Sequence, residues 1–234
     1  MAQDMEANLQ QSLALLWRRV LRTNRARLFG AESKRLRNLN WGDRIAQPGF
    51  VGPNYEAGGL VFVSMNPGGG DDGLGPFDKA QYKILKRLRK CSKSDAATHF
   101  SEFNALLQYL IPRGDIGGPI FQNFLEPVLH HARTDFSSVA YLNLLKWRTT
   151  KESRSLDNLY DLSWRDHTGE QFRLLKPRVV IAVGVDAGKA FQRHHTNHTY
   201  HHAIHRVYNN IGKEGRDDIR MIRTWLKKHP LRRS

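Results

Sequence analysis

A turn-forming run at positions 64–70 (SMNPGGG) is the first place in this 234-residue sequence that offers chemistry. It follows an apolar stretch, and Pro67 with the glycines after it, Gly68 and Gly69 among them, prevents a central β-strand from continuing. Asn66 then stands at the strand end, where its amide can orient a water or contact a substrate, and the glycines let a nucleic-acid backbone approach closely. A simple turn capped by Asn66 accounts for the run equally well.

Two carboxylates, Asp71 and Asp72, follow this run directly. They are candidates for a carboxylate base, a role that the neutral amide of Asn66 cannot fill, with solvated loop positions as the alternative. The run has neither the Lys-Ser/Thr ending of a P-loop nor the spacing of a dinucleotide fingerprint. The sequence therefore disfavours binding of nucleoside triphosphates.

The charge balance indicates a polyanionic partner. The sequence holds 37 Lys and Arg residues against 22 Asp and Glu, which gives a net charge of +15 with neutral histidines. Nucleic acid is the commonest partner of so basic a protein. The alternative is a basic protein that binds RNA without a specific function. Because the basic residues are spread along the whole chain, we expect nucleic acid rather than a membrane as the partner.

The cysteine and histidine content restricts the possible sites. Cys91 is the only cysteine, which excludes an intrachain disulfide and zinc sites built on paired cysteines, and fits a reducing compartment. Six histidines lie between positions 194 and 205, but no Cys or acidic residue lies among them, so we expect no metal there. No segment reads as a signal peptide or a transmembrane helix. We expect a monomeric cytoplasmic protein, or a nuclear one in a eukaryote.

Apolar periodicity predicts the elements that position the candidate residues. Strands are expected at 60–65, 139–143, 179–184 and 200–207. Helices are expected at 5–28, 82–89, 103–110, 121–131, 156–175, 187–193 and 217–228, with a loop at 38–59. Strands separated by helices indicate parallel βαβ units, in which ligands bind beyond the carboxyl ends of the strands. That rule selects Asn66, Asn143, Gly184 and the region of His205.

Four segments, in order, resemble the uracil-DNA glycosylase superfamily, and most closely its mismatch-specific and single-strand-selective members. Residues 61–68 (VFVSMNPG) are similar to the first motif of those enzymes, an apolar strand that runs into Gly-Met-Asn-Pro-Gly or Gly-Ile-Asn-Pro-Gly. Residues 141–143 look like the strand that ends in the base-reading asparagine, and residues 175–184 look like the penultimate strand and turn. His205 stands where the third motif begins, and the resemblance covers about residues 60–228.

The resemblance implies an α/β fold with three α/β/α layers around a small, mostly parallel sheet. Residues 1–234 would form one such domain, with 1–59 as a helical and loop extension. The implied activity is hydrolysis of the N-glycosidic bond of a base flipped out of DNA. This hydrolysis is expected to need no cofactor. Asn66 would position the attacking water, Asn143 would read the base edge through its amide, and His205 would hydrogen-bond an oxygen of the departing base.

Further contacts with the base and the DNA follow from the same resemblance. An aromatic residue after the first motif stacks on the base in this family, and Phe77 is the first candidate and Tyr82 the second. Met65 is expected to contact the base, and Gly68 and Gly69 the DNA.

A basic and aromatic segment, Lys146, Trp147 and Arg148, follows Asn143 closely. It is suited to hold phosphate and stack a base. The equal alternative places Trp147 in the core between two surface cations.

The sequence also departs from the family pattern. Ser64 occupies a position where the family usually has Gly, and the third motif reads His-Arg-Val-Tyr rather than His-Pro-Ser-Pro. The wedge that fills the gap left by a flipped base must therefore differ, and Arg206 and Tyr208 are its candidates and expected DNA contacts. His202 is the alternative to His205, since a shift in the strand end would exchange them.

These observations predict a DNA glycosylase that acts on uracil or another altered pyrimidine in single- or double-stranded DNA. Base-excision repair and defence against modified foreign DNA are both open. The alternative is a non-catalytic nucleic-acid-binding module that keeps the fold. The two differ in whether alkali-labile abasic sites are left in DNA.

Overall fold

The computed structural model describes most of the chain in two compact units. The described residues are 2–23, 25–31, 46–65, 76–147, 157–194, 200–207 and 209–231. The first unit draws on residues 1–49, 66–106 and 143–175, and the second on residues 50–65, 107–142 and 176–234.

The described elements alternate between helices and short strands. The α-helices are α1 Ala2–Arg22, α2 Arg25–Phe29, α3 Pro76–Lys90, α4 Ala96–Leu110, α5 Gly118–Ile120, α6 Glu126–Ala132, α7 Asp157–Ser163, α8 Gly169–Leu175, α9 Val185–His194 and α10 Lys213–Lys228. Two π-helical turns, Phe121–Leu125 and Trp164–Thr168, precede α6 and α8, and a 3₁₀ turn spans Phe136–Ser138. The strands are β1 Phe50–Val51, β2 Leu60–Ser64, β3 Ala140–Asn143, β4 Val179–Val183 and β5 Tyr200–Ile204.

The five strands form one mixed sheet in the order β1-β3-β2-β4-β5. β2 and β4 are buried along their whole length, which is typical of strands covered on both faces. β2 pairs parallel with β4, with Leu60 opposite Val179, and β4 pairs parallel with β5. β1 runs antiparallel to β3. The expected α/β class is therefore confirmed, and the sheet is mixed because of β1.

Helices cover both faces of the sheet at β5, because successive side chains of a strand point to opposite faces. The ring of His201 packs against Phe191 of α9, with centroids 5.1 Å apart. The preceding residue, Tyr200, stacks on Trp225 of α10 with centroids 3.9 Å apart. Helices α9 and α10 therefore lie on opposite faces, and this part of the second unit has three layers.

Several element boundaries differ from the sequence prediction. The helix expected at 5–28 divides at Thr23, whose hydroxyl donates to the Arg19 carbonyl oxygen at 3.2 Å and competes with the helical pattern. The loop expected at 38–59 contains β1, which depends on pairing with a strand about 90 positions away. The strand expected at 200–207 ends at Ile204, and α10 begins at Lys213 rather than 217.

In the first unit, the arginines of α1 bond to the end of α3. Arg18 Nε donates to the Cys91 carbonyl oxygen at 2.8 Å, and Arg22 Nε donates to the Arg89 carbonyl oxygen at 2.7 Å. Arg19 forms an ion pair with Glu170 of α8. Arg18 and Arg22 thus satisfy carbonyl groups that a helix end leaves without partners.

Within the described ranges, no helix combines the length and the apolarity needed to cross a bilayer.

Candidate active site at the carboxyl ends of the parallel strands

A cavity of about 490 Å³ opens in the second unit where β2, β4 and β5 end. Its lining comes from the residue after β2, the turn from β4 into α9, the residues after β5 and the first turn of α10. The lining residues are Met65, Gly184, Val185, Asp186, Ala187, His205, Arg206, Val207, Gly212, Lys213, Glu214 and Gly215. This is the edge at which parallel sheets bind ligands, as the sequence predicted.

Arg206 lies over the turn that joins β4 to α9. Gly184 has a φ of 108°, which favours glycine, and a Cβ atom there would lie 3.1 Å from Arg206 Nε. Burial raises the pKa of Tyr141, whereas its hydrogen bond with Ser64 and the positive charge of Arg206 act in the opposite direction. The Ser64 and Tyr141 hydroxyl oxygens are 3.0 Å apart. Ser64, which departs from the family pattern, therefore links β2 to β3.

His205 is held by the carboxylate of Asp218, which lies on α10. Its Nδ1 is 2.8 Å from Asp218 Oδ2, and its backbone N–H donates to the same oxygen at 2.7 Å. Because an ionised carboxylate only accepts hydrogen bonds, the His205 Nδ1 must carry a proton. No described residue forms a hydrogen bond with the other ring nitrogen, Nε2, and the His205 side chain is 48% exposed.

Asp218 also contacts a second histidine. His202 Nε2 is 3.0 Å from Asp218 Oδ1, so the carboxylate joins two histidines of the β5 region through its two oxygens. Burial of Asp218 opposes its ionisation, but the hydrogen bonds from His205 and His202 outweigh it and lower the pKa of Asp218. An ionised carboxylate fixes the orientation and the tautomer of the imidazole that donates to it.

The contact between α10 and β5 depends on Gly215. A Cβ atom at Gly215 would collide with the carbonyl oxygen of His205, so a larger residue would push the first turn of α10 away. Asp218 lies one turn further along, on the buried side of α10 together with Ile219 and Ile222. The absence of a side chain at Gly215 therefore brings Asp218 within hydrogen-bond distance of His205.

The charges around the cavity are mixed. Lys213 and Arg206 contribute positive charge, and the N-terminal turns of α9 and α10 add the partial positive charge of helix N-termini. Asp186 and Glu214, in the first turns of those helices, contribute carboxylates. An anion that forms in the cavity would be stabilised by the first group, and a carboxylate of the second could accept a proton from water.

The structure brings four of the predicted positions together: Met65, Gly184, His205 and Arg206 all line the cavity. His202 does not line it, which favours His205 over His202 as the histidine that meets a ligand. Asn143 ends β3, is half-buried and does not line this cavity. The predicted residues outside the described part of the chain are Asn66, Gly68, Gly69, Asp71, Asp72, Arg148 and Tyr208.

Lys146 does not occupy the surface position expected of a phosphate contact. It is fully buried, its Nζ donates to Gln171 Oε1 at 2.8 Å, and Nζ lies 5.4 Å from the ring centre of Trp17. Burial lowers the pKa of the Lys146 amine well below its usual value. A buried amine cannot reach a DNA phosphate, so Lys146 is removed from the predicted DNA contacts. Trp147 lies in the core, as the alternative interpretation had it.

The predicted aromatic stacking residues lie in α3, in the first unit. Phe77, near the start of the helix, is 38% exposed. Tyr82 is half-buried, and Lys86 Nζ lies 4.5 Å from the centre of its ring.

The sequence prediction missed Asp218, and it also missed Asp186, Lys213 and Glu214 of the cavity lining. The signal for Asp218 is nevertheless present in the sequence, because Asp218 shares the apolar side of an amphipathic helix with Ile219, Ile222 and Leu226. A carboxylate on such a side requires a buried partner. Among the described residues, no group of three or more His, Cys, Asp or Glu side chains could hold a metal ion.

Comparison with known proteins assigns this chain to no family. No protein-family model matches the chain, and no curated protein matches it. The features that bear on function are therefore the α/β fold, the cavity at the carboxyl ends of its parallel strands, and the pair of His205 and Asp218 at the edge of that cavity.

Proposed function

We propose that this protein is a DNA glycosylase with a uracil-DNA glycosylase-like fold, which hydrolyses the N-glycosidic bond of a uracil or another altered pyrimidine flipped out of DNA. The observation that carries the proposal is the hydrogen bond between His205 and Asp218 beside a cavity at the carboxyl ends of parallel strands. The motif resemblance of residues 61–68 and the net charge of +15 support it independently.

The cavity suits a single flipped nucleotide unit. Its volume of about 490 Å³ falls within the range of about 300–1,000 Å³ that is usual for small-molecule sites. Met65 contributes an apolar wall, whereas His205 and Arg206 contribute polar groups. A flipped base needs both kinds of contact, because it is bound by its faces and recognised at its edge.

The reaction itself requires stabilisation of a leaving anion. When the bond between C1′ of the sugar and the base nitrogen breaks, the electron pair leaves with the base, and the sugar becomes cationic. In its doubly protonated form, His205 would donate from Nε2 to an oxygen of the departing base, while Nδ1–H stays bonded to Asp218. The Asp218 carboxylate would stabilise that imidazolium by its negative charge.

A water molecule completes the hydrolysis by adding to C1′ and releasing a proton. Asp186 and Glu214 line the cavity and are candidates to accept that proton. Asn66 remains proposed as the residue that holds the water, and Asp71 and Asp72 as alternative bases.

The remaining roles stay as the motif resemblance implies them. Asn143 is proposed to read the base edge, and Arg206 to contact DNA or to act as the wedge. Both repair of altered bases and defence against foreign DNA with modified bases fit this chemistry.

The experiment that tests the proposal is detection of abasic sites. The protein is incubated with a panel of oligonucleotides that carry altered pyrimidines, and with modified genomic DNAs, and alkali then cleaves the strand at any abasic site. We expect cleavage with the wild-type protein and its loss in His205→Ala. His202→Gln is the matched control, because it keeps a hydrogen-bond donor for Asp218 at a histidine that does not line the cavity. DNA binding without abasic sites on any substrate would favour the non-catalytic module.

A further inference from the structure

Helix α10 has two sides with different chemistry. Five cationic positions fall within an arc of about 80° when the helix is viewed down its axis, at 3.6 residues per turn. We call this set the α10 basic face; it consists of Lys213, Arg216, Arg220, Arg223 and Lys227. The buried residues of the helix occupy the opposite side and include Asp218, which holds His205.

The members of the α10 basic face are exposed. Arg220 Nη1 donates to Asp217 Oδ1 at 2.7 Å, whereas no described carboxylate forms an ion pair with Arg223 or Lys227. Neighbours on this face are three or four positions apart, a spacing at which like charges destabilise a helix. The arrangement therefore creates repulsion that an anionic partner would relieve.

One neighbouring histidine lies within reach of the same positive charges. Helix α6 packs against α10 and carries His130 and His131 in its last turn. Burial lowers the pKa of His131, and the charges of Arg223, His130 and Lys227 lower it further. Arg223 and Lys227, in the C-terminal half of the α10 basic face, therefore lie close enough to the end of α6 to favour the neutral form of His131.

The α10 basic face begins at the cavity. Lys213 lines it, and Lys227 lies 14 residues further along the same helix, about 21 Å away at 1.5 Å per residue. A straight row of cations suits a stiff duplex with regularly spaced phosphates. Binding of single strands relies on exposed aromatic residues that stack bases. No exposed residue of α10 is aromatic, and its Trp225 is part-buried and stacks on Tyr200.

We propose that the α10 basic face binds the phosphate backbone of duplex DNA and places the cavity, at its N-terminal end, against the strand that carries the target nucleotide. The assignment rests on the proposed function in taking DNA as the polyanion. It adds that helix α10 has two roles. Its exposed cations bind DNA on one side, and Asp218 holds His205 on the other.

The test compares two matched double variants. Arg223→Gln/Lys227→Gln removes two cations of the α10 basic face, far from the cavity. Lys189→Gln/Arg193→Gln removes two exposed cations with the same spacing from α9, on the opposite face of the sheet. Binding of an unmodified duplex, in which no base is excised, is measured by fluorescence anisotropy between about 50 and 200 mM salt.

The expected result follows from counterion release, at a slope of about −0.9 per phosphate contact in the log–log plot of affinity against salt. The α10 variant should lose about 1.8 of the wild-type slope, so that its affinity falls about tenfold less over this fourfold rise in salt. The α9 variant should keep the wild-type slope. Equal slopes in wild-type protein and α10 variant, or equal losses in both variants, would overturn the proposal.

Two further measurements distinguish a DNA-binding face from a membrane-binding face, and this proposal from the proposed glycosylase activity. Stronger retention on vesicles of phosphatidylcholine and phosphatidylserine than on duplex DNA would assign the face to membranes and overturn it. The same variants are tested for abasic sites at low salt and saturating protein. Excision without the slope change refutes the α10 basic face alone, whereas the slope change without excision on any substrate refutes the glycosylase and leaves the DNA-binding face standing.

Discussion

Replacing Asp218 by Asn is the sharpest perturbation of the proposed chemistry. The wild-type carboxylate accepts three hydrogen bonds, two from His205 at 2.7 and 2.8 Å and one from His202 at 3.0 Å. An amide keeps the size of the side chain and can still accept the bond from the His205 backbone. It removes the negative charge that stabilises an imidazolium and can turn a donor towards a ring nitrogen.

The size of the effect follows from the hydrogen bonds whose acceptor, the Asp218 side chain, is no longer charged. Hydrogen bonds to a charged group contribute about 1.5–3 kcal/mol each, and loss of one such contact from the transition state corresponds to about a 10- to 150-fold lower rate. Asp218→Asn should slow single-turnover excision by that factor and lower the free energy of unfolding by a similar amount. Circular dichroism and denaturant titration check that the protein remains folded.

The neighbouring residue supplies the matched control. Asp217→Asn makes the same chemical change one position away, where the carboxylate is more exposed and pairs with Arg220 instead of a histidine. Its excision rate should stay within about twofold of wild type, since surface ion pairs contribute little. A wild-type rate in Asp218→Asn, or equal losses in both variants, would refute the role assigned to the pair of His205 and Asp218.

Three other predictions follow from the described contacts. Gly215→Ala should destabilise the protein and slow excision, because the new methyl group collides with the His205 carbonyl and displaces Asp218; unchanged unfolding and excision would show that α10 does not need this close approach. Burial lowers the pKa of His167 to about 3, so between its unfolded value near 6.5 and about 3 the unfolded chain binds a proton that the folded protein does not. Stability should therefore decrease as the pH falls through this range, by up to about 1.4 kcal/mol per pH unit, and His167→Gln should flatten the dependence in urea titrations. Lys146→Met should leave the salt slope of DNA binding unchanged because Nζ is buried, whereas a loss of about 0.9 in slope would restore Lys146 as a phosphate contact.

The sequence predicts the sheet well where burial alone determines the pattern. β2 and β4 are continuous apolar runs, and their ends correctly place Met65 and the Gly184 turn at one edge. β1 was not predicted, because two residues carry no periodicity and are strands only through pairing with β3.

The sequence predicts only the part of the candidate site that local sequence determines. His205 follows a strand end, which local sequence can indicate, whereas its partner Asp218 is 13 positions away on another element. Lys146 shows the converse error. A lysine three positions after an asparagine at a strand end suggests a surface cation, but tertiary packing places Lys146 beside Gln171 and Trp17 in the interior. Interactions that join distant segments decide both cases.

The proposed role of His205 is to act on a base in the cavity, and single-turnover excision on a cleavable substrate measures that role directly. Loss of one donor to a developing anion typically costs about 2.7–4 kcal/mol, a rate loss of roughly 10²–10³. We expect His205→Ala to slow the formation of abasic sites by about that factor, while the protein stays folded and still binds duplex DNA. His202→Gln should remain close to wild type. Abasic sites formed by His205→Ala at the wild-type rate would show that His205 does not act on the base.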